Sequence, residues 1–131
     1  MPFQYAAKFI CGVAKDEKSP VALGRYSTVV NVHNPGKDEK FAYKLAVAGP
    51  GEQGKIYDFQ ETQIGPDGAI YFDCHFVRKV FDVGDPLFDG FFVIETKRLP
   101  LDVIAVYTTT DLEGRGVPAI DVERVFERPI G

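Results

Sequence analysis

The chain predicts an all-β fold, an antiparallel β-sandwich or jelly roll of about eight strands, with a closed barrel as the alternative. Three observations carry this. Apolar residues recur at every second position in short runs, and no window holds a sustained 3.6-residue apolar period. Turn residues interrupt the runs about every ten positions. The 131 residues include 13 glycines and 9 prolines, a content suited to tight connections and unsuited to a helical bundle.

The elements follow in order. The first strand spans approximately Gln4–Gly12, with Tyr5, Ala7, Phe9 and Cys11 on one side. A polar loop, AKDEKSP, separates it from a second strand at Gly24–His33, where Tyr26, Thr28, Val30 and Val32 share a face. The turn NPGKDE leads into Lys40–Ala48, the cleanest alternation, with Phe41, Tyr43, Leu45 and Val47 on one side. GPGEQG ends it, and a fourth strand runs near Lys55–Ile64. After GPDG, the fifth strand, Ala69–Phe76, groups Ile70, Phe72, Cys74 and Phe76. The segment 77–88 breaks the rhythm, and its spacing predicts one short helical turn near Val77–Asp85 or an irregular crossover. Strands resume at Gly90–Thr96 and Leu101–Thr109, joined through KRLP as a hairpin, and the last covers approximately Val117–Phe126. No repeat and no linker divides residues 1–131, which read as one domain. Within it, residues 1–23 form an apolar strand or arm plus a polar loop, and the arm Phe3–Gly12 is a candidate for pairing with a neighbour's sheet edge.

A net charge of −4 excludes a generally basic nucleic-acid binder. Arg115, Arg124 and Arg128 alternate with Asp111, Glu113, Asp121, Glu123 and Glu127, which is the pattern of a mixed solvated surface. No apolar run reaches the roughly 18 residues of a membrane helix. Lys8 interrupts the N-terminal apolar stretch and no basic residue precedes it, so no secretory signal is expected. The default location is cytoplasmic, with extracellular assembly as the other location compatible with the sequence.

No catalytic signature is present. Serine occurs only at Ser19 and Ser27, outside any GxSxG, and no phosphate-cradling glycine loop occurs, so the chain reads as no enzyme with no catalytic residue and no cofactor. The triplet Asp73-Cys74-His75 holds three ligand types, but alternation sends Cys74 to the opposite side, so no metal site is expected without a partner such as His33. A hairpin through KRLP would set Glu95 opposite Asp102, which reads as two wet-rim charges rather than an acid–base pair. Cys11 and Cys74 are two buried thiols or a candidate disulfide, within or between subunits; neither is expected to be catalytic.

The same hairpin predicts self-association. Phe92, Ile94, Leu101, Val103 and Ala105 would fill the core, leaving Phe91, Val93, Ile104 and Val106 together on the opposite face. No predicted helix is long enough to cover that face, so a homo-oligomer is expected, with cover by the crossover 77–88 as the competing outcome.

The stretches GRYSTVVNVHNP, FAYKLAVAGPG, GPDGAIYFDC and GFFVIETKRLPLDVIAVYTT together resemble a group of small bacterial all-β proteins. More distantly, they resemble the sensory rhodopsin transducer family. The resemblance covers roughly Gly24–Val125 and leaves residues 1–23 outside. It implies a compact, self-associating β-sandwich that acts by binding a partner, and it carries over no site residue. The expected function is a non-enzymatic structural or assembly protein, an oligomer or filament subunit. The alternative is a sensory adaptor or small-ligand-binding module of the transducer type.

Overall fold

The structure, a computed structural model, describes residues 2–84, 86–98, 100–115 and 119–130, with only the backbone of Ala119 and Ile120. The elements are β1 (Phe3–Ala14), β2 (Gly24–His33), β3 (Glu39–Ala48), β4 (Gln53–Ile64), β5 (Ala69–Asp73), α1 (Cys74–Phe81), β6 (Phe88–Thr96), β7 (Asp102–Thr110), β8 (Ala119–Val125) and the short β9 (Arg128–Pro129). All strand pairings are antiparallel and form one continuous sheet folded into two layers. Sheet A runs β4-β3-β6-β1, with β9 against the start of β1; sheet B runs β5-β2-β7-β8.

β1 belongs to both layers. Phe3–Cys11 pair with β6, and Gly12–Ala14 pair with Gly24–Tyr26 of β2. The strand turns the corner at Gly12, whose φ of 113° is a region that L side chains avoid. A Cβ there would lie 2.8 Å from the Leu87 Cα. The N-terminal segment is therefore a strand of sheet A, paired with β6 from Phe3 to Cys11, rather than a detachable arm. Its apolar alternation is spent inside its own subunit, since Tyr5, Ala7, Phe9 and Cys11 are all fully buried.

The inner faces meet in one core. Sheet A supplies the β1 residues with Phe41, Tyr43, Leu45, Phe92 and Ile94; sheet B supplies Val30, Val32, Phe72, Val103, Ala105 and Val125. Tyr43, Phe72 and Phe92 form an aromatic centre, with ring centroids 4.8 Å apart for Tyr43–Phe72 and 4.9 Å for Phe72–Phe92. At one end Asn34 is fully buried. Its amide donates to the carbonyls of Lys37, Ile64 and Gly65, and its backbone bonds to Asp67 and Gly68, so one side chain ties together the turns after β2 and β4.

The fifth strand ends sooner than its alternation suggests. β5 stops at Asp73, whose Oδ1 accepts from the Phe76 N–H at 2.8 Å and caps α1. Cys74, Val77 and Phe81 then share the buried side of the helix. A 3.6-residue period overlies the period-2 pattern at Phe72–Phe76, and the aspartate cap decides between them. The helix thus starts three residues before the expected Val77–Asp85 turn and overlaps it at Val77–Phe81; Asp85, and Val117 of the last predicted strand, lie outside the described residues. Cys74 at the first position of α1 is bonded to Cys11, with 5.8 Å between their Cα atoms, so the pair is a disulfide within one chain rather than two free thiols.

Two outcomes follow. Gly12→Ala should lower stability by about 1–3 kcal/mol in chemical denaturation, through the positive φ and the approach of Leu87. Cys11→Ser/Cys74→Ser should lower it by roughly 4 kcal/mol on the chain-entropy model, because the bond closes a loop across 63 residues; unchanged denaturation under reducing conditions would contradict the linkage.

Candidate functional site

The hairpin expected of β6 and β7 does not form. β6 lies between β1 and β3, so both its edges are occupied, while β7 lies between β2 and β8. The connection between them passes from one layer to the other. Leu101 is buried at its end, and its N–H donates to the Tyr5 hydroxyl. Glu95 consequently sits in sheet A beside Gln4, which donates to its Oε2 at 3.0 Å. Asp102 sits in sheet B opposite His33. The two carboxylates do not face each other.

The predicted self-association residues divide in the same way. Phe91 and Val93 lie on the outer face of sheet A, and Ile104 and Val106 on the outer face of sheet B. Val93 is buried, flanked across the sheet by Ala6 and Lys44. Phe91 is exposed beneath the Lys8 ammonium, 5.6 Å from the ring centroid. On sheet B the registers build a continuous apolar row, Val29–Val106–Val122, bordered by Tyr71 and Ile104. Tyr71 and Val122 are each 62% exposed and Ile104 38%. α1 packs its apolar side on the core, against Tyr43 and Tyr57, and leaves this face open.

His33 stands at the end of the same face. Its Nδ1 is 2.8 Å from Asp102 Oδ2 and its Nε2 is 3.5 Å from Asp67 Oδ1. Asp67 reaches this position from a left-handed backbone, φ 57°, in the GPDG turn. The hydrogen bond to Asp102 foremost, with the charge of both aspartates, raises the His33 pKa above its ordinary value. His75 is exposed on α1, Asp73 is occupied as its cap, and Cys74 is in the disulfide. Among the described residues no three metal-ligating side chains converge.

Clefts open on the surface. A cleft of about 390 Å³ lies between the free edge of β1 and the inner face of β7 and β8, lined by Lys8, Ile10, Tyr26, Tyr107, Thr109, Asp121 and Glu123 among others. From Tyr5 to Cys11, β1 has a strand neighbour on one side only, β6. On the other side, Thr28 Oγ1 accepts from the Ile10 N–H at 2.9 Å and donates to the Ile10 carbonyl at 2.7 Å. The Tyr107 hydroxyl donates to the Lys8 carbonyl at 2.9 Å. Burial first, then the charges of Glu123 and Asp121, push the Tyr107 hydroxyl up to about 12. A second cavity of about 800 Å³ at the end of sheet A mixes both signs of charge, including Glu39, Lys40, Glu61, Glu95 and Lys97.

Sequence reading placed Asp121 and Glu123 on a solvated surface and did not connect them with Tyr26 and Tyr107. One signal was available. Both acids are in phase with Val125, a buried residue of β8, and so stand on the inner side of the strand.

The fold defines a class, an all-β two-layer protein, and a solved structure shares it. The crystal structure of Thermotoga maritima 1070 superposes with a TM-score of 0.56, covering 95% of this chain and 91% of that one at 11% sequence identity. No family model and no curated protein matches the chain. No helix among the described residues is long and apolar enough to cross a membrane.

The raised pKa of His33 gives a pH dependence with a definite sign. The protonated form gains partners on folding, so its stabilisation is fully present below the unfolded pKa of about 6.5 and is lost as pH rises through the folded value. In melts across that window, His33→Gln should flatten the loss of stability on going to alkaline pH. A wild-type profile identical to that of the variant would contradict it.

Proposed function

We propose that this protein is a non-enzymatic, self-associating β-sandwich, a structural or assembly subunit, and that its contact face is the outer side of sheet B. The carrying observation is the apolar row Val29–Val106–Val122 with Tyr71 and Ile104, uncovered by any element of its own described chain. The four strands of sheet B, of 5, 10, 9 and 7 residues and spaced at about 4.8 Å, give a face of roughly 500 Å² per subunit, or about 1,000 Å² for a pair. That is about the threshold of a specific interface. The middle of the face carries Val29, Asn31, Ile104 and Val106, whereas Arg25, Asp102 and Arg124 stand at its margins. An uncharged centre inside a charged rim suits a contact between copies.

The disulfide supports an oxidising compartment over the cytoplasmic default, and with it extracellular assembly. A second reading, a small-ligand-binding module or sensory adaptor of the kind the transducer resemblance implies, is favoured by the cleft beside β1.

Analytical ultracentrifugation at low micromolar concentration tests the first reading. The wild type should sediment as an oligomer. Val106→Glu or Ile104→Glu should weaken association roughly tenfold or more, while Phe91→Glu, on the other layer, should leave it unchanged. A monomeric wild type, or dissociation only by Phe91→Glu, would overturn this face. Electron microscopy then separates a closed oligomer from a filament, according to whether the symmetry closes.

A further inference from the structure

The cleft between β1 and β8 has a one-sided chemistry. Its two tyrosine hydroxyls are committed to backbone carbonyls of the chain itself. Tyr107 donates to the Lys8 carbonyl at 2.9 Å, and Tyr26 donates to the Ala22 carbonyl at 2.6 Å. Those bonds also anchor both rings before any ligand arrives, which removes an ordering cost from binding. The cation that borders the cleft is neutralised elsewhere, since the Lys8 ammonium lies 2.6 Å from Asp89. The carboxylates are the opposite case. Asp121 and Glu123 have no cationic side chain within ion-pairing distance among the described residues.

Their position adds a second, independent point. The inner face of a sandwich strand is expected to be apolar, as Val125 on the same side of β8 is. β8 instead turns two acids inward, opposite Ala105 and Tyr107 and beside Ile10. An anion would meet both carboxylates and find the tyrosine donors already used. A hard divalent ion needs about six oxygen ligands and retains its water, which two carboxylates against an apolar wall do not provide. A weakly hydrated cation with an apolar body satisfies each constraint: its charge meets the carboxylates and its methyl or methylene groups meet Tyr26, Tyr107 and Ile10. A volume of about 390 Å³ suits a small molecule.

We propose that the cleft formed by Ile10, Tyr26, Tyr107, Asp121 and Glu123 binds a small organic ammonium ion. The inference rests on the ligand-binding reading and is independent of the outer face of sheet B. Choline and its uncharged isostere 3,3-dimethylbutan-1-ol test it, by amide chemical-shift titration of the full chain. Choline should give saturable shifts centred on Ile10, Thr108 and Thr109 and bind at least tenfold more tightly than the isostere. Asp121→Asn/Glu123→Gln should weaken choline at least tenfold and leave the isostere unchanged. Both acids are exposed, so this variant should keep the wild-type melting temperature and isolate charge from folding. Tyr26→Ala should weaken both ligands, because it removes the wall they share. Equal affinity for choline and the isostere overturns the ammonium assignment while the cleft remains a binding site. Absence of saturable shifts with either compound overturns the assignment and the ligand-binding reading together.

Discussion

The structure depends on one strand serving two layers. β1 is the last strand of sheet A up to Cys11, paired with β6, and joins sheet B beside β2 from Gly12 onward. The change of layer takes place at a single residue with a positive φ, and the residue before it carries the disulfide. The bond ties the bend to the start of α1, so the corner and the helix are held together. Because β1 takes one edge of β6 and β3 takes the other, β7 is forced into the second layer. The separation of Phe91 and Val93 from Ile104 and Val106 follows from that exclusion.

The same corner creates the cleft. As β1 bends away, its edge from Tyr5 to Cys11 has no strand beside it, and buried backbone groups without partners are costly. Side chains from sheet B take the place of the missing strand. Thr28 satisfies both backbone groups of Ile10, and Tyr107 satisfies the Lys8 carbonyl. The tyrosine does this with its only donor, so the space beside it is walled by a ring with no hydrogen left to offer. A structural repair of one strand edge thereby sets the polarity of the adjacent cavity.

The two outer faces show different solutions to exposed apolar surface. On sheet A, Lys8 lies over Phe91 and Lys44 over Phe59, with the ammonium 4.6 Å from the Phe59 centroid. Long stems and cation–π contacts shield that layer while keeping charge in water. On sheet B the residues beside the apolar row on β2 and β7 are Asn31, Ser27 and Thr108, too short to do the same, and the long Arg124 of β8 lies over the Phe126 ring instead, 5.1 Å from its centroid. The contrast in how their neighbours lie, rather than in apolar content, distinguishes the shielded face of sheet A from the open row of sheet B.

The sequence by itself determined the strand content and the direction of nearly every core side chain. Period-2 alternation is a local property of the backbone, and burial selects one phase of it, so Tyr5–Cys11, Phe41–Leu45 and Val103–Ala105 were legible without coordinates. The pairing of the strands was not, because an alternating strand presents equivalent edges to any neighbour. Only the tertiary structure decided that β6 and β7 lie in different layers, that Glu95 and Asp102 part, and that Cys11 meets Cys74 across 63 residues. The start of α1 lay between these cases: Asp73 and the spacing of Cys74, Val77 and Phe81 are visible in sequence, but a strand of the same residues would bury Phe72 and Cys74 equally well. The candidate site was the least legible part. Tyr26, Tyr107, Asp121 and Glu123 come from three strands, and their convergence depends on the registers of β2, β7 and β8, which no local pattern encodes.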